Sequence, residues 1–209
     1  MMDYRELIRI TISLHPDYKG IHQCYQEVIT ALKANAIDFI QTNSISVWTH
    51  VGHTGYQVIH SPLPFLHLSE FEHQKISLEI YRYPTNLQEI NLIRKHESED
   101  FLTFLKKHAF DLDYINPSRL LFMINSFICP EVLLEINKIF CNKPRPQISL
   151  EVLANFLNCS RNQLNFRQKS IKAKRHEVID KLEQESRVVR RLVNEKNYEL
   201  SAQDMCGSR

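Results

Sequence analysis

The spacing of apolar residues changes along the chain and predicts two kinds of secondary structure. Over residues 21–36 apolar positions recur at helical spacing, whereas over residues 75–83 they alternate with polar positions. Alternation predicts a half-buried strand, because successive side chains of a strand point to opposite faces, and Pro84 ends it. From Asn86 onward the helical spacing continues almost throughout. The pattern predicts an α+β N-terminal domain followed by a mostly α-helical module.

Residues 148–169 predict two short helices joined by a sharp turn. Ser149 precedes the first helix as a capping residue, and Ser160 precedes the second. Asn158 lies between them, and asparagine adopts positive φ more readily than most residues other than glycine. We expect Leu164 to pack back onto the apolar face of the first helix. That face consists of Leu150, Leu153, Ala154 and Leu157.

The outer face of the second helix has the composition of a surface that reads DNA bases. Its polar residues are Arg161, Asn162, Asn165 and Arg167. Arginine pairs with guanine edges in the major groove, and asparagine pairs with adenine edges. The cations that follow are Lys169, Lys172, Lys174 and Arg175. We expect them to contact phosphates, which position a protein on DNA without reading its sequence. An ordinary pair of core helices with a polar rim has the same pattern, and this alternative stays open.

The run SLEVLANFLNCSRNQL at residues 149–164, with the amphipathic helix after it, resembles the AraC/XylS family of bacterial transcription regulators. The likeness continues without gaps from residue 149 to about residue 185. It implies a helix-turn-helix over residues 149–169, whose recognition helix, residues 161–169, enters the major groove of double-stranded DNA. It also implies a linker helix over residues 175–196. The function that the resemblance implies is transcription regulation.

A weaker likeness concerns the N-terminal part of the chain. The string GHTGYQVIHSP at residues 52–62 resembles a GxxGY and SP signature in the ligand-associated domain of some AraC-type regulators. This likeness implies a regulatory domain over residues 1–128 and a small-molecule effector. The helical DNA-binding module would then occupy residues 129–209. Prolines within residues 141–146 prevent the helix from continuing and are expected to stiffen the connection to the helix-turn-helix.

The chain also departs from the family. Residues 171–175 lack the glycine and phenylalanine of the family's turn after the recognition helix, and residues 200–209 resemble only the opening of a second helix-turn-helix. The resemblance is therefore to a C-terminally truncated regulator, which would bind DNA weakly because affinity accumulates contact by contact. An alternative is an interaction protein that does not bind DNA and dimerises with, or sequesters, a full-length partner through helices 118–140. Those apolar helices are consistent with a buried core and with the interface of a homodimer.

Charge is distributed unevenly along the chain. Residues 143–209 contain 14 Lys/Arg against 8 Asp/Glu, a net charge of +6, whereas residues 1–142 contain 12 against 16, a net charge of −4. A basic C-terminal third behind an acidic remainder is typical of a segment that binds a polyanion. A lysine-rich solvated helix is the alternative. The charge distribution favours DNA as the partner.

The sequence predicts neither an enzyme nor a cofactor, since it has no GxSxG, P-loop or Rossmann glycine motif. His50, His53 and His60 cluster near two glycines and suit zinc or iron, but no HExxH pattern accompanies them, so we predict no metal site. Five scattered cysteines without a CxxC pair indicate reduced thiols. Without an apolar run long enough for a signal peptide or a membrane span, we expect a cytoplasmic protein without membrane contact.

Overall fold

The computed structural model describes residues 2–3, 12–32, 44–49, 55–58, 75–141 and 144–194 of the 209-residue chain. The fold is mixed α/β, with a small sheet in the N-terminal part and a mostly helical remainder. The predicted α+β character is confirmed at this level. His50, His53, His60, most of residues 52–62 and all of residues 200–209 lie outside the described residues.

Within the described residues, five strands form one sheet in the order β1-β5-β3-β4-β2. They are β1 (Met2–Asp3), β2 (Ile12–Leu14), β3 (Ser44–Thr49), β4 (Tyr56–Val58) and β5 (Lys75–Arg82). The two longest strands, β3 and β5, run parallel, with Ser44 opposite Ser77 and Thr49 opposite Arg82. The strand predicted from the alternating pattern is β5, so that prediction is confirmed.

The part of the chain that the structure describes also contains six α-helices, of which the first lies between β2 and β3 and the other five follow β5. They are α1 (Lys19–Ile29), α2 (Leu87–Lys107), α3 (Pro117–Phe127), α4 (Pro130–Cys141), α5 (Leu150–Phe156) and α6 (Arg161–Asn194). Side-chain caps explain where several of them begin: Asn86 accepts from the amide of Gln88, and Asn116 accepts from the amide of Arg119. These caps satisfy amides that have no partner inside the helix.

The structure joins the predicted recognition helix and the predicted linker helix in one continuous helix, α6. This continuous helix runs across residue 175, where the linker helix was expected to begin. Residues 161–194 contain no glycine and no proline, and residues 172–175 read Lys-Ala-Lys-Arg. All four are strong helix formers, so nothing in this segment favours leaving the helical conformation.

The chain divides into two compact units, Met1–Gln168 and Lys169–Arg209. In the first unit, one buried apolar cluster joins α1–α5 with Leu164 of α6. Tyr25 of α1 meets Phe101 of α2 edge to face, with ring centroids 4.8 Å apart. The cluster contains Ile124 and Leu133, so the helices before and after residue 128, where a domain boundary was expected, share one core. The second unit consists, within the described residues, of the rest of α6.

Among the described residues, no single helix has the length and apolar composition needed to cross a membrane. Helices α3 and α4 reach that composition only when taken together, and they are bent by 119°.

Candidate nucleic-acid interface

The turn between α5 and α6 is built around Asn158, whose φ is +51°. The amide of Cys159 donates to the carbonyl oxygen of Ala154 at 3.0 Å. The amide of Asn158 donates to the carbonyl oxygen of Asn155 at 3.3 Å. These two bonds are the Schellman arrangement, which satisfies the last carbonyls of a helix and needs a left-handed residue after it. The predicted positive φ at Asn158 is confirmed.

The side chain of Asn158 also attaches the turn to α2. Its Nδ2 donates to the carbonyl oxygen of Lys106 at 2.9 Å. Lys106 lies in the last turn of α2, where carbonyls have no partner inside the helix. One asparagine therefore provides the backbone conformation of the turn and a hydrogen bond to a helix 52 residues earlier.

Both helices begin at the predicted serine caps. The Oγ of Ser149 accepts from the amide of Val152 at 3.4 Å. At α6 the caps are reciprocal: the amide of Gln163 donates to Ser160 Oγ at 3.2 Å, and the amide of Ser160 donates to Gln163 Oε1 at 2.8 Å. This capping box satisfies two amides at once and determines where α6 starts.

The inner face of this pair of helices is buried as expected. Ala154 is 3% exposed and Leu164 is fully buried, and both belong to the core cluster. A buried leucine in the first turn of α6 determines which side of the helix faces the core. The residues on the other side are therefore turned towards solvent.

Arg167 does not lie on the outer face of α6, so the expected placement of this side chain is wrong. Its Nε donates to the carbonyl of Ile115 at 3.2 Å, its Nη2 donates to the carbonyl of Asp113, and its Nη1 lies 3.9 Å from Asp113 Oδ1. The side chain is only 19% exposed. Arg167 follows Leu164 by three residues and so shares its side of the helix. Its guanidinium therefore connects α6 by hydrogen bonds to the turn Leu112–Tyr114 and to Ile115.

The remaining candidates of the first unit are accessible. Arg161 and Asn162 are exposed, and Asn165 is half-buried. Residues 162, 165 and 166 lie at i, i+3 and i+4 and therefore share a face of the helix. Phe166, which the sequence did not single out as a functional residue, is 76% exposed on that face. Its spacing of four residues from Asn162 is the signal that could have identified it.

Two further asparagines hold the segment that leads into α5. Asn125 Nδ2 donates to the carbonyl of Ile148 at 3.1 Å, and Asn125 Oδ1 accepts from the amide of Ile148 at 2.8 Å. Asn137, 3% exposed, donates through Nδ2 to the carbonyls of Arg145 and Gln147 at 2.7 and 2.8 Å. Both asparagines interrupt strongly apolar helices, and a polar residue in such a helix is a signal that it bonds to something buried.

In the second unit, the predicted phosphate-contacting residues are all on the surface of α6. Lys169, Lys172, Lys174 and Arg175 are exposed. Residues 169–175 contain these four cations and no carboxylate. Further along, Lys181 Nζ donates to Glu177 Oε1 at 2.8 Å, and this bond lowers the pKa of Glu177 and raises the pKa of Lys181. No carboxylate thus lies between the first and the last of the predicted phosphate-contacting residues.

The first unit also contains an open cavity of about 650 Å³ between α1, α2 and the junction of α3 with α4. Its lining includes Arg94, Asn91, Asn125, Ile21 and Ile128. A volume of this size is typical of pockets that bind small organic molecules. Asn125 lines this cavity and also bonds to Ile148, immediately before Ser149 and α5. Within the described residues, no group of three or more His, Cys, Asp or Glu side chains is arranged to hold a metal ion.

The chain matches no family model, no curated protein and no solved structure. Its function is therefore inferred from the geometry and chemistry of the described residues.

Proposed function

We propose that the protein is a sequence-specific DNA-binding transcription regulator of AraC type, in which α5 and the start of α6 form a helix-turn-helix. The observation that carries this proposal is the outer face of α6, where Arg161, Asn162 and Asn165 are accessible. Leu164 and Arg167 hold the opposite face against the body of the first unit. The proposal assigns the protein no catalytic activity, metal or cofactor, and a cytoplasmic location.

The chemistry of the accessible residues suits base reading. Arg161 would donate two hydrogen bonds to O6 and N7 of a guanine, and each asparagine would pair with N6 and N7 of an adenine. In the second unit, Lys169, Lys172, Lys174 and Arg175 would contact phosphates. The base contacts would determine which sequence is bound, whereas the phosphate contacts would supply affinity that falls with salt.

The hydrogen bonds behind the outer face support the same proposal. Asn158 attaches the turn to Lys106, and Arg167 attaches α6 to Ile115 and Asp113. Side chains on a helix that is held in this way lose less conformational freedom when they bind, which favours affinity and specificity.

The cavity beside Asn125 is our candidate for the effector site of the regulator. Asn125 is shared between the lining of the cavity and the backbone of Ile148. A small molecule that bonded to this amide would compete with Ile148 for it. Occupancy of the cavity would then change the support of the segment that leads into α5.

The proposal is tested by recovering a duplex from a randomised library with the full chain and measuring its affinity by fluorescence anisotropy over a range of salt concentrations. Four phosphate contacts predict a slope of about −4 for the logarithm of the affinity against the logarithm of the salt concentration. Replacing Arg161 and Asn165 together by alanine is expected to weaken binding by roughly 30-fold or more, since each base contact contributes about 1–3 kcal/mol.

A matched control removes one guanidinium and one side-chain amide elsewhere on the first unit. Arg82 and Gln23 are both exposed, on β5 and α1. The double variant Arg82→Ala, Gln23→Ala is expected to bind the recovered duplex as the original chain does. Binding that is insensitive to salt, or an equal loss in the two double variants, would contradict the proposal.

The second candidate function is an interaction protein that forms a homodimer through residues 118–140. Four large apolar side chains of α3 and α4 favour it, because they face solvent. They are Phe122, Phe127, Ile139 and Phe140, exposed by 68%, 40%, 77% and 42%. Exposed patches of large apolar side chains often mark a site of contact with another protein. Light scattering measures the molecular mass in solution. A mass that rises from one chain to two as the concentration increases would favour this candidate. The double variant Phe122→Ser, Ile139→Ser would then keep the mass of one chain.

A further inference from the structure

Phe166 is a large apolar side chain on the face of α6 that is otherwise polar. It is 76% exposed, whereas Leu164, two residues earlier, is fully buried. A single exposed apolar residue is common on protein surfaces. The neighbours of Phe166 make it informative: Asn162 lies one helical turn before it, and Asn165 directly precedes it.

Helix geometry places Asn162 and Phe166 along one line. Four residues of helix rise about 6 Å, and side chains at i and i+4 lie one above the other. Successive base pairs are about 3.4 Å apart along the duplex. Two side chains separated in this way therefore reach bases that are about one or two base pairs apart when a helix follows the major groove.

The chemistry of the two side chains is complementary to A·T pairs. Asparagine pairs with N6 and N7 of adenine, and an apolar side chain such as phenylalanine contacts the 5-methyl group of thymine, which projects into the same groove. Cytosine and guanine have no methyl group at this edge, so a phenylalanine cannot make this apolar contact with them. A phenylalanine one helical turn after an accessible asparagine thus selects for thymine close to adenine.

We infer that Phe166 is a specificity-determining residue that contacts the 5-methyl group of a thymine, within about two base pairs of the adenine paired with Asn162. The inference rests on the proposed function and narrows it: the duplex read by the start of α6 contains A·T pairs at both positions. Phe166 takes no part in the core, because its side chain points to solvent.

The experiment uses the full chain and the duplex recovered from the randomised library. Each thymine is replaced in turn by deoxyuridine, which removes only the 5-methyl group. At one or two positions the original chain is expected to lose affinity by roughly fourfold, the value for one buried methyl-sized group. Phe166→Ala is expected to bind the thymine and deoxyuridine duplexes equally well at those positions.

The control is Leu87→Ala, which removes a large apolar side chain that is 69% exposed on α2. It is expected to keep the preference for thymine. If Phe166→Ala keeps that preference at every position, the inference is overturned while the proposed function stands. If Phe166→Ala changes the mass of the protein in solution and leaves the thymine preference intact, Phe166 belongs to a protein contact and the inference is again overturned. Recovery of no duplex would overturn the proposed function, and the inference with it.

Discussion

The side-chain amide of Asn158 donates a hydrogen bond of 2.9 Å to the carbonyl of Lys106 while its own backbone has a φ of +51°. The same residue thus turns the chain between α5 and α6 and holds that turn against the end of α2. Substitutions can separate these two roles, because glycine keeps the backbone conformation and removes only the side-chain bond.

Asn158→Gly is therefore expected to lower the free energy of unfolding by about 1 kcal/mol, the contribution of one hydrogen bond. Asn158→Ala is expected to lower it by about 2–3 kcal/mol, because alanine also adds the strain of a left-handed backbone. Urea unfolding followed by circular dichroism measures both. Asn155→Ala, at an exposed position of α5, is the control and should change stability little. Equal losses for glycine and alanine would contradict the strain at Asn158.

Arg167 is expected to contribute to stability and not to base preference. Arg167→Ala removes the donors to Ile115 and Asp113, and we expect a loss of about 1–3 kcal/mol in the free energy of unfolding, since a charged donor is lost at a partly buried site. The duplex recovered from a randomised library should have the same preferred bases for this variant as for the original chain. Arg161→Ala is the comparison, and it should relax the preference at one base pair. A changed preference with Arg167→Ala would mean that this side chain does reach DNA.

Asn137 tests the attachment of residues 145–147 to α4. Asn137→Asp has nearly the same shape, but a carboxylate has no hydrogen to donate and would face the carbonyls of Arg145 and Gln147. We expect Asn137→Asp to lower the free energy of unfolding at pH 7 by about 3 kcal/mol or more, and Asn137→Ala by about 2 kcal/mol. Denaturant unfolding measures the difference. A stability for the aspartate variant equal to that of the original chain would show that these bonds are dispensable.

His22 gives a prediction for the pH dependence of stability. Burial lowers the pKa of His22 below its usual 6.5, so the unfolded chain binds a proton more readily than the folded one. The contribution of His22 to stability is therefore expected to be fully present above pH 6.5 and to be lost as the pH drops through that value towards the lower folded pKa. His22→Gln should make the decline between pH 7 and pH 5 shallower, as measured by urea midpoints. His176→Gln, at an exposed position, is the control. If the stability of His22→Gln and of the original chain declined equally between pH 7 and pH 5, His22 would not be the cause of the decline.

The features that sequence alone predicted correctly are those that depend on neighbours within about one helical turn. Ser149 and Ser160 cap helices because their hydroxyls reach amides three residues away, and Asn158 adopts positive φ for reasons internal to the residue. The strand β5 follows from its own alternation. The continuity of α6 is equally local, because residues 161–194 contain no glycine and no proline.

The sequence by itself thus determined the caps, the turn at Asn158, the alternation of β5 and the polar composition of residues 161–165. Only the tertiary structure decided that Arg167 faces Ile115 whereas Phe166 faces solvent, and that Asn158 bonds to Lys106. These contacts join residues more than 50 positions apart in the chain. A pattern of residue types specifies which side of a helix is apolar, but the partner of each polar side chain depends on which distant carbonyls the fold brings within reach.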